Sequence, residues 1–285
     1  MTEDGVRPQR HRAAASQQTR EIRGISPGFH SRRLLAIALL SIAVLVAVAA
    51  LPPIPQPEHY HDFADQRVVL GVPHALNVVS NLGFLIVGAV GLGRLWRPGA
   101  SFADARERWP YAVFFASLVG VAFGSSYYHL VPSHGSLFWD RLPMSLAFMS
   151  LLSAVLVERL GPRIGLRLFP WLAAVGPFSV VYWLLSERAG VGDLRLYGLV
   201  HFTPMLLIPL LLWLFAPRYT RGGDLLWVLA LYATALVAER LDHEVFAAGG
   251  WVSGHTVKHV LAAVAAGWLL RMLRLRSPAP AQSAP

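Results

Sequence analysis

The stretch Trp251–Leu273, WVSGHTVKHVLAAVAAGWLLRML, decides how this chain is interpreted. It has the length and apolar composition of a membrane-spanning helix, which needs about 20 residues. Its first third nevertheless contains His255, Lys258 and His259. Because ionisable residues are costly inside a membrane and usually serve a function there, this helix indicates both a membrane protein and a site at one end of a span.

Composition extends this interpretation to the whole chain. Of its 285 residues, 55% are hydrophobic and 14% are charged, whereas soluble domains carry about 25% charged residues. The sequence predicts an all-α, polytopic membrane helical bundle with eight apolar segments of membrane-spanning length. These segments are 34–51, 74–94, 110–131, 138–157, 168–186, 196–216, 223–241 and 251–272.

The segments divide the chain into four parts. Residues 1–33 are basic and polar and are predicted to form a disordered cytoplasmic N-terminus. Segment 34–51 is predicted to be an additional transmembrane helix before a seven-transmembrane domain at 52–275, and residues 276–285 to be a flexible tail. Since segment 34–51 ends in the small residues AVAA, a cleaved signal peptide is the alternative to a retained helix. Both alternatives place the start of the domain on the same side of the membrane.

Basic residues set the predicted orientation. With the N-terminus inside, most of the 25 Lys and Arg residues fall in the inside segments. Lys and Arg concentrate in cytoplasmic loops, so both termini are predicted to be cytoplasmic. The net charge of +9 is then a consequence of topology, and no nucleic-acid partner is predicted. The dominance of arginine over lysine is typical of a bacterial protein, which places the chain in the bacterial inner membrane.

Polar residues from three separate spans are predicted to meet near the outer face. Ser125 and His129 close the third span, Asp140 opens the fourth, and His255 and His259 open the eighth. Since consecutive spans alternate in direction, these ends lie at one depth. Ser125 and His129 are spaced i,i+4, as are His255 and His259, so the two residues of each pair lie on one face of their helix.

The three histidines are the predicted metal ligands. The chain has no cysteine, so any metal must be held by His, Asp or Glu side chains. His129, His255 and His259 can hold one zinc ion and leave a fourth position for water, which is the arrangement of catalytic zinc sites. Asp140 is the predicted general base and acid.

Other polar residues have structural explanations as well. His74 and His201 are interpreted as interhelical hydrogen-bonding groups, the commoner role of a single histidine in a span. The role of two further groups is left open. Asn77, Ser80 and Asn81 could pack helices together or support the metal ligands. Asp242, His243 and Glu244 could be solvated loop residues or could have a function.

The order and spacing of these residues resemble a known family. The pattern Ser125-x₃-His129, then Asp140, then His255-x₃-His259 is similar to that of the alkaline ceramidases. That family belongs to a membrane hydrolase superfamily that also contains the adiponectin-receptor-like proteins. The stretch HALNVVSNLGF also resembles the family's Asn-x-x-Ser-Asn signature, and the likeness covers about residues 60 to 272.

The resemblance implies a reaction and a role for each residue. It implies that His129, His255 and His259 bind zinc and that Asp140 is the catalytic aspartate. It implies that Ser125 helps to hold the zinc water or the oxyanion. The expected reaction is hydrolysis of the amide of ceramide, or of a similar amide-linked lipid, to a sphingoid base or other amine and a fatty acid.

The resemblance also raises the question of calcium. Eukaryotic members carry an acidic calcium site just before the first core helix, and Asp62 and Asp65 lie in the corresponding stretch here. Arg67 and His74 stand near the positions where further ligands are needed. Calcium requires six to eight oxygen ligands. A calcium site on Asp62 and Asp65 is therefore expected from the resemblance, but Arg67 and His74 argue against it because they supply no oxygen ligands.

Two other classes of function are alternatives. The same zinc site could serve an ester or other acyl-lipid hydrolase. A receptor-like or zinc-handling membrane protein could instead use the histidines to relay metal or signal. A transporter would be expected to carry polar residues through the whole depth of the bilayer, whereas here they cluster at one end of the spans.

Overall fold

The structure, a computed structural model, describes residues 27–97 and 102–279, with only the backbone of residues 27–30. Within these ranges the chain is helical, and its extended pairings are the two isolated bridges Val69–Val72 and Tyr219–Pro278. The predicted all-α class is confirmed. The α-helices are α1 Pro27–Ala49, α2 Ala75–Ser80, α3 Leu82–Leu95, α4 Arg108–Leu130, α5 His134–Leu160, α6 Pro162–Arg188, α7 Arg195–Leu214, α8 Asp224–Arg240, α9 Asp242–Gly249 and α10 Gly254–Leu275.

Most of the predicted spans are present as long apolar helices. Seven helical segments in the described ranges are long and apolar enough to cross a membrane, with α2 and α3 together forming one of them. The segment predicted at 223–241 forms α8, whose 17 residues make it shorter than the helical segments formed by the other predicted spans. The chain therefore has the architecture of a polytopic helical membrane bundle.

The N-terminal helix begins earlier than the sequence predicts. Helix α1 begins at Pro27 and not at residue 34. Proline is favoured at the first position of a helix because it lacks an N–H that would have no partner there. Residues 27–33, predicted as part of a disordered segment, are thus helical. The rest of that segment, residues 1–26, lies outside the described residues.

The start of the predicted flexible tail is packed. Arg276 is 3% exposed and forms an ion pair with Glu158 of α5. Its guanidinium also lies 4.2 Å from the centre of the Tyr219 ring. A buried arginine with a carboxylate partner and an aromatic neighbour is held in place, so Arg276, the first residue of the predicted tail, is packed against the bundle. Residues 280–285 lie outside the described part of the chain.

Close helix packing positions the polar residues of interest. A Cβ atom on Gly124 of α4 would collide with the carbonyl group of Trp139 on α5, so these helices touch through backbone atoms. This contact brings the end of α4 beside the start of α5. The side chain of Ser253 caps α10 by accepting a hydrogen bond from the N–H of Thr256 at 3.2 Å. The end of the bundle where α4 ends and α5 and α10 begin is called the site end below.

Candidate metal centre

Three histidines from two helices meet at the site end, as the sequence predicts. His129 lies on α4, and His255 and His259 lie on the first turns of α10. One ring nitrogen of each lies within 4.8 Å of the corresponding nitrogens of the other two. Their ring centres are 4.8 to 5.0 Å apart. All three side chains are buried.

The hydrogen-bonding state of His129 tests whether a metal fits. Neither of its ring nitrogens has a hydrogen-bond partner among the described residues, although the side chain is 0% exposed. A buried polar atom without a partner is costly and calls for an explanation. Three imidazoles that face one another offer nitrogen ligands suited to a divalent metal ion. The residues present therefore fit a metal ion held by His129, His255 and His259.

Polar residues of α2 orient His259. Its Nδ1 lies 2.9 Å from the hydroxyl of Ser80 and 3.1 Å from the backbone oxygen of Asn77. Hydrogen bonding at Nδ1 leaves Nε2 free for a metal, an arrangement found around most ligating histidines. The side-chain oxygen of Asn77 also accepts a hydrogen bond from Thr256 at 2.6 Å. Asn77 and Ser80 thus contact a candidate ligand directly, which favours support of the ligands over helix packing alone.

Asp242, the first residue of α9, links His255 to the segment 52–74. Its Oδ1 accepts a hydrogen bond from the backbone N–H of His255 at 2.6 Å, and its Oδ2 accepts one from the N–H of Ala64 at 2.9 Å. Asp242 is buried, whereas its neighbours His243 and Glu244 are exposed. Of the trio whose role the sequence left open, Asp242 is thus a buried hydrogen-bonding residue, and the other two are solvated.

The segment 52–74 covers the centre. Phe63 is 3% exposed, and its ring centre lies 4.6 Å from that of His129 and 4.9 Å from that of His255. The Nδ1 of His74 is hydrogen-bonded to the backbone oxygen of His129 at 2.8 Å, which agrees with its interpretation as a hydrogen-bonding group. An aromatic ring against two imidazoles excludes water from that side of the centre.

Asp140 and Ser125 lie together beside the histidines. Both side chains are buried, Ser125 near the end of α4 and Asp140 near the start of α5. Both line one cavity together with His259 and Lys258. The sequence prediction that these residues converge at one depth is consistent with this arrangement.

The cavity leads from these polar groups into the apolar interior of the bundle. Its empty volume is about 880 Å³, the open mouth included. Away from the polar end, its walls consist of hydrophobic side chains. They include Phe84, Phe114, Leu118, Leu151, Ala265 and Ala266.

His201 also reaches this cavity. Its Nε2 is 2.7 Å from the hydroxyl of Tyr232 on α8, which agrees with the prediction of an interhelical hydrogen bond. The imidazole is stacked on Phe148, with ring centres 4.7 Å apart. His201 is thus fully accounted for as a packing residue that forms part of the cavity wall.

A buried ion pair was missed from the sequence. Lys258 on α10 is paired with Glu239 at the end of α8, and Glu239 also accepts a hydrogen bond from Tyr60 at 3.0 Å. A lysine within a span requires an acidic partner. Glu239 is an acidic residue in the preceding span, so that requirement was the signal that could have identified the pair.

The two aspartates proposed for calcium are directed to protein partners. Both carboxylate oxygens of Asp65 lie 2.7 Å from guanidinium nitrogens of Arg67, and this contact lowers the pKa of Asp65. Asp62 is exposed and accepts a hydrogen bond from Gln66 at 3.0 Å. Arg67 also donates to the backbone oxygen of Trp251 at 2.6 Å. The arginine occupies the place of a cation in this segment, and the predicted calcium site is not supported.

Comparison with known proteins adds no assignment. No protein-family model matches the chain, and no curated protein matches it either. The chemistry of the centre therefore has to be inferred from its own residues.

Proposed function

We propose that this chain is a zinc-dependent membrane hydrolase that cleaves the amide bond of ceramide or a similar amide-linked lipid. The observation that carries the proposal is the position of the three buried histidines. The unpartnered nitrogens of His129 lie close to those of His255 and His259, and His259 lines the polar end of an apolar cavity together with Asp140.

The residues divide into a metal-binding group and a proton-transferring group. His129, His255 and His259 would hold zinc, which when bound acts as a Lewis acid and lowers the pKa of water. Asp140 is the general base that takes a proton from the attacking water. It then acts as the general acid that delivers this proton to the amide nitrogen as the carbon–nitrogen bond breaks. Ser125 lines the same cavity as Asp140, so its hydroxyl would serve as a donor to the substrate's carbonyl oxygen.

The cavity supports a lipid substrate. Its hydrophobic walls suit an acyl chain, and the polar groups at one end suit the amide to which that chain is attached. Ligand pockets of this kind are largely apolar with a few polar groups that fix orientation. Apart from His201 and Tyr232, which are hydrogen-bonded to each other, the lining beyond the polar end is apolar, which disfavours the zinc-transport alternative.

The charge bias of the loops supports an orientation. With most Lys and Arg residues in the predicted cytoplasmic segments, the site end faces the outside of a bacterial inner membrane. Reporter fusions within 241–250 should then read as external, and a cytoplasmic signal from them would reverse the orientation.

Substitution of Asp140 tests the reaction. Asp140→Asn should retain zinc but reduce hydrolysis of a fluorescent ceramide by about 10²–10⁴-fold, the contribution of a general acid–base group. Ser125→Ala should have a smaller effect, because its hydroxyl is one donor among several. Zinc content is measured by mass spectrometry on purified protein in nanodiscs, with an ester analogue assayed in parallel.

Asp62→Asn provides the matched control, because this aspartate is exposed and lies outside the cavity. Its activity should equal that of the wild type. If Asp140→Asn loses the metal, Asp140 is a ligand. Full activity in Asp140→Asn contradicts the proposed mechanism, and faster cleavage of the ester than of the amide would change the substrate class.

A further inference from the structure

A second group of potential metal ligands lies outside the candidate centre. Nitrogen and oxygen atoms of Glu58, His61 and His134 lie within 4.8 Å of one another. Glu58 and His61 are the first and last residues of one 3₁₀ turn, Glu58–His61, so their side chains share one face of it. His134 is the first residue of α5. The group thus joins the segment 52–74 to the start of a long helix.

The two histidines are already oriented toward each other. His61 Nε2 and His134 Nδ1 share a hydrogen bond of 2.7 Å, and His61 Nδ1 is hydrogen-bonded to the hydroxyl of Tyr128 at 2.8 Å. A metal ion bound by both histidines would take the place of the proton that they share. His134 is stacked against Trp183 with ring centres 6.1 Å apart. Ligating histidines are commonly held in this way by a partner on the opposite ring nitrogen. The Tyr128 hydroxyl plays that part for His61.

The carboxylate completes the group at a distance that suits a shared cation. His134 Nε2 is 3.8 Å from Glu58 Oε1, which is too long for a hydrogen bond between these atoms. Two ligands that each lie about 2.0–2.2 Å from one zinc ion are separated by a similar distance. The side chains of Glu58 and His134 are 89% and 22% exposed, so an ion and its water ligands have access.

We infer that Glu58, His61 and His134 form a second divalent-metal site, with two imidazoles and a carboxylate as ligands. Nitrogen and oxygen ligands of this type bind zinc and similar ions. The site is distinct from the candidate metal centre, because it shares no ligand with it. Several solvent-accessible positions remain open around such an ion.

The site's position suggests what the metal does. On one side of the segment 52–74, Arg67 donates to the backbone oxygen of Trp251, and the N–H of Ala64 donates to Asp242. A metal on Glu58, His61 and His134 would fasten the same segment to α5 on the other side. Phe63, which covers the candidate centre, lies between these attachments. The second metal therefore stabilises the cover over the first.

Zinc stoichiometry tests this inference. The full chain in nanodiscs is stripped of metal, titrated with zinc and assayed by mass spectrometry. The wild type should bind two zinc ions per chain, and His61→Ala or His134→Ala should bind one. Loss of a ligand should weaken the second zinc by more than the about 10–100-fold that loss of an outer partner causes. Glu58→Gln, at an exposed position, gives a milder variant in case either histidine variant misfolds.

His59→Ala is the matched control, because His59 is an exposed histidine on the same turn. It should still bind two zinc ions. Hydrogen exchange should show that the second equivalent protects residues 58–64 in the wild type and in the control but not in His134→Ala. A wild type that never exceeds one zinc and keeps that zinc in His134→Ala, or a His61→Ala/His134→Ala double variant that keeps two, overturns the inference.

The experiment distinguishes failure of the second metal site from failure of the proposed function. His255→Ala should lose the zinc of the candidate centre and keep the second. If the wild type hydrolyses lipid with one zinc only, the second site alone is refuted. If it binds two zinc ions and hydrolyses no lipid, the proposed function alone is refuted.

Discussion

The two ends of the bundle bury polar side chains in different ways. At the end opposite the site end, Arg276 is ion-paired with Glu158, and Tyr111 donates a hydrogen bond of 2.6 Å to the same carboxylate. At the site end, His129 is equally buried but has no hydrogen-bond partner among the described residues. In the first cluster the charge of Arg276 has a carboxylate partner, although its Nε and Nη2 make no hydrogen bond within the described ranges, whereas in the second both ring nitrogens of His129 lack a partner there. This difference separates a cluster of paired charges from a group of three buried histidines that could hold a metal ion.

The contrast has an energetic consequence. Removing one partner of a buried ion pair costs about 3–5 kcal/mol, because the other charge is left buried and unpaired. Removing an imidazole that has no protein partner leaves no such charge behind. Substitutions at the two ends should therefore affect different quantities, stability at one end and metal binding at the other.

Substitution of His129 should give the largest effect. His129→Ala should lose the zinc of the candidate centre and with it all measurable lipid hydrolysis, because no other nitrogen of α4 replaces the lost ligand. The free energy of unfolding of the metal-free protein, measured by titration with denaturing detergent, should change far less than it does in the Glu158 variant described next. A His129→Ala protein that keeps stoichiometric zinc and full activity would remove the basis of the contrast.

Glu158→Gln tests the opposite end. It leaves the buried Arg276 guanidinium without a countercharge, so the free energy of unfolding should fall by about 3–5 kcal/mol. Zinc content and hydrolysis per folded molecule should stay as in the wild type. Glu244→Gln, at an exposed acidic residue, is the control and should be neutral. If Glu158→Gln is as stable as the wild type, the ion pair does not hold this end together.

Local properties of the sequence were enough to predict the spans and the convergence of the histidines. Apolar length identifies the helices, and alternation of direction sets the depth of their ends. Helix ends were less predictable, because they depend on single capping contacts. The Ser133 side chain, for example, accepts a hydrogen bond from the N–H of Ser136 at 3.1 Å, and α5 begins at His134 where the predicted span begins at residue 138.

Contacts between helices distant in sequence could not be predicted in the same way. The need of Lys258 for an acidic partner in a span points to Glu239 as a candidate, but the pairing itself depends on α8 and α10 being neighbours, which only the structure shows. Asp242 accepts hydrogen bonds from both His255 and Ala64, and the second bond forms only because the segment 52–74 passes next to Asp242. The calcium expectation failed for a related reason, since only the structure shows that Arg67 is directed at Asp65.

Asp242→Asn should have the smallest effect of the three and tests how far the binding end depends on its supporting contacts. The carboxylate accepts one backbone hydrogen bond from His255 and another from Ala64, and an amide can replace only one acceptor. Loss of such an outer contact commonly weakens metal binding by about 10–100-fold. Competition with a chelator should therefore show weaker zinc binding in Asp242→Asn, with hydrolysis restored by excess zinc. Restoration is the decisive result, because His129→Ala should not be rescued at any zinc concentration. If zinc affinity is unchanged, the candidate centre is held by its ligands alone, and the contact of Asp242 with the segment 52–74 serves the cover and not the metal.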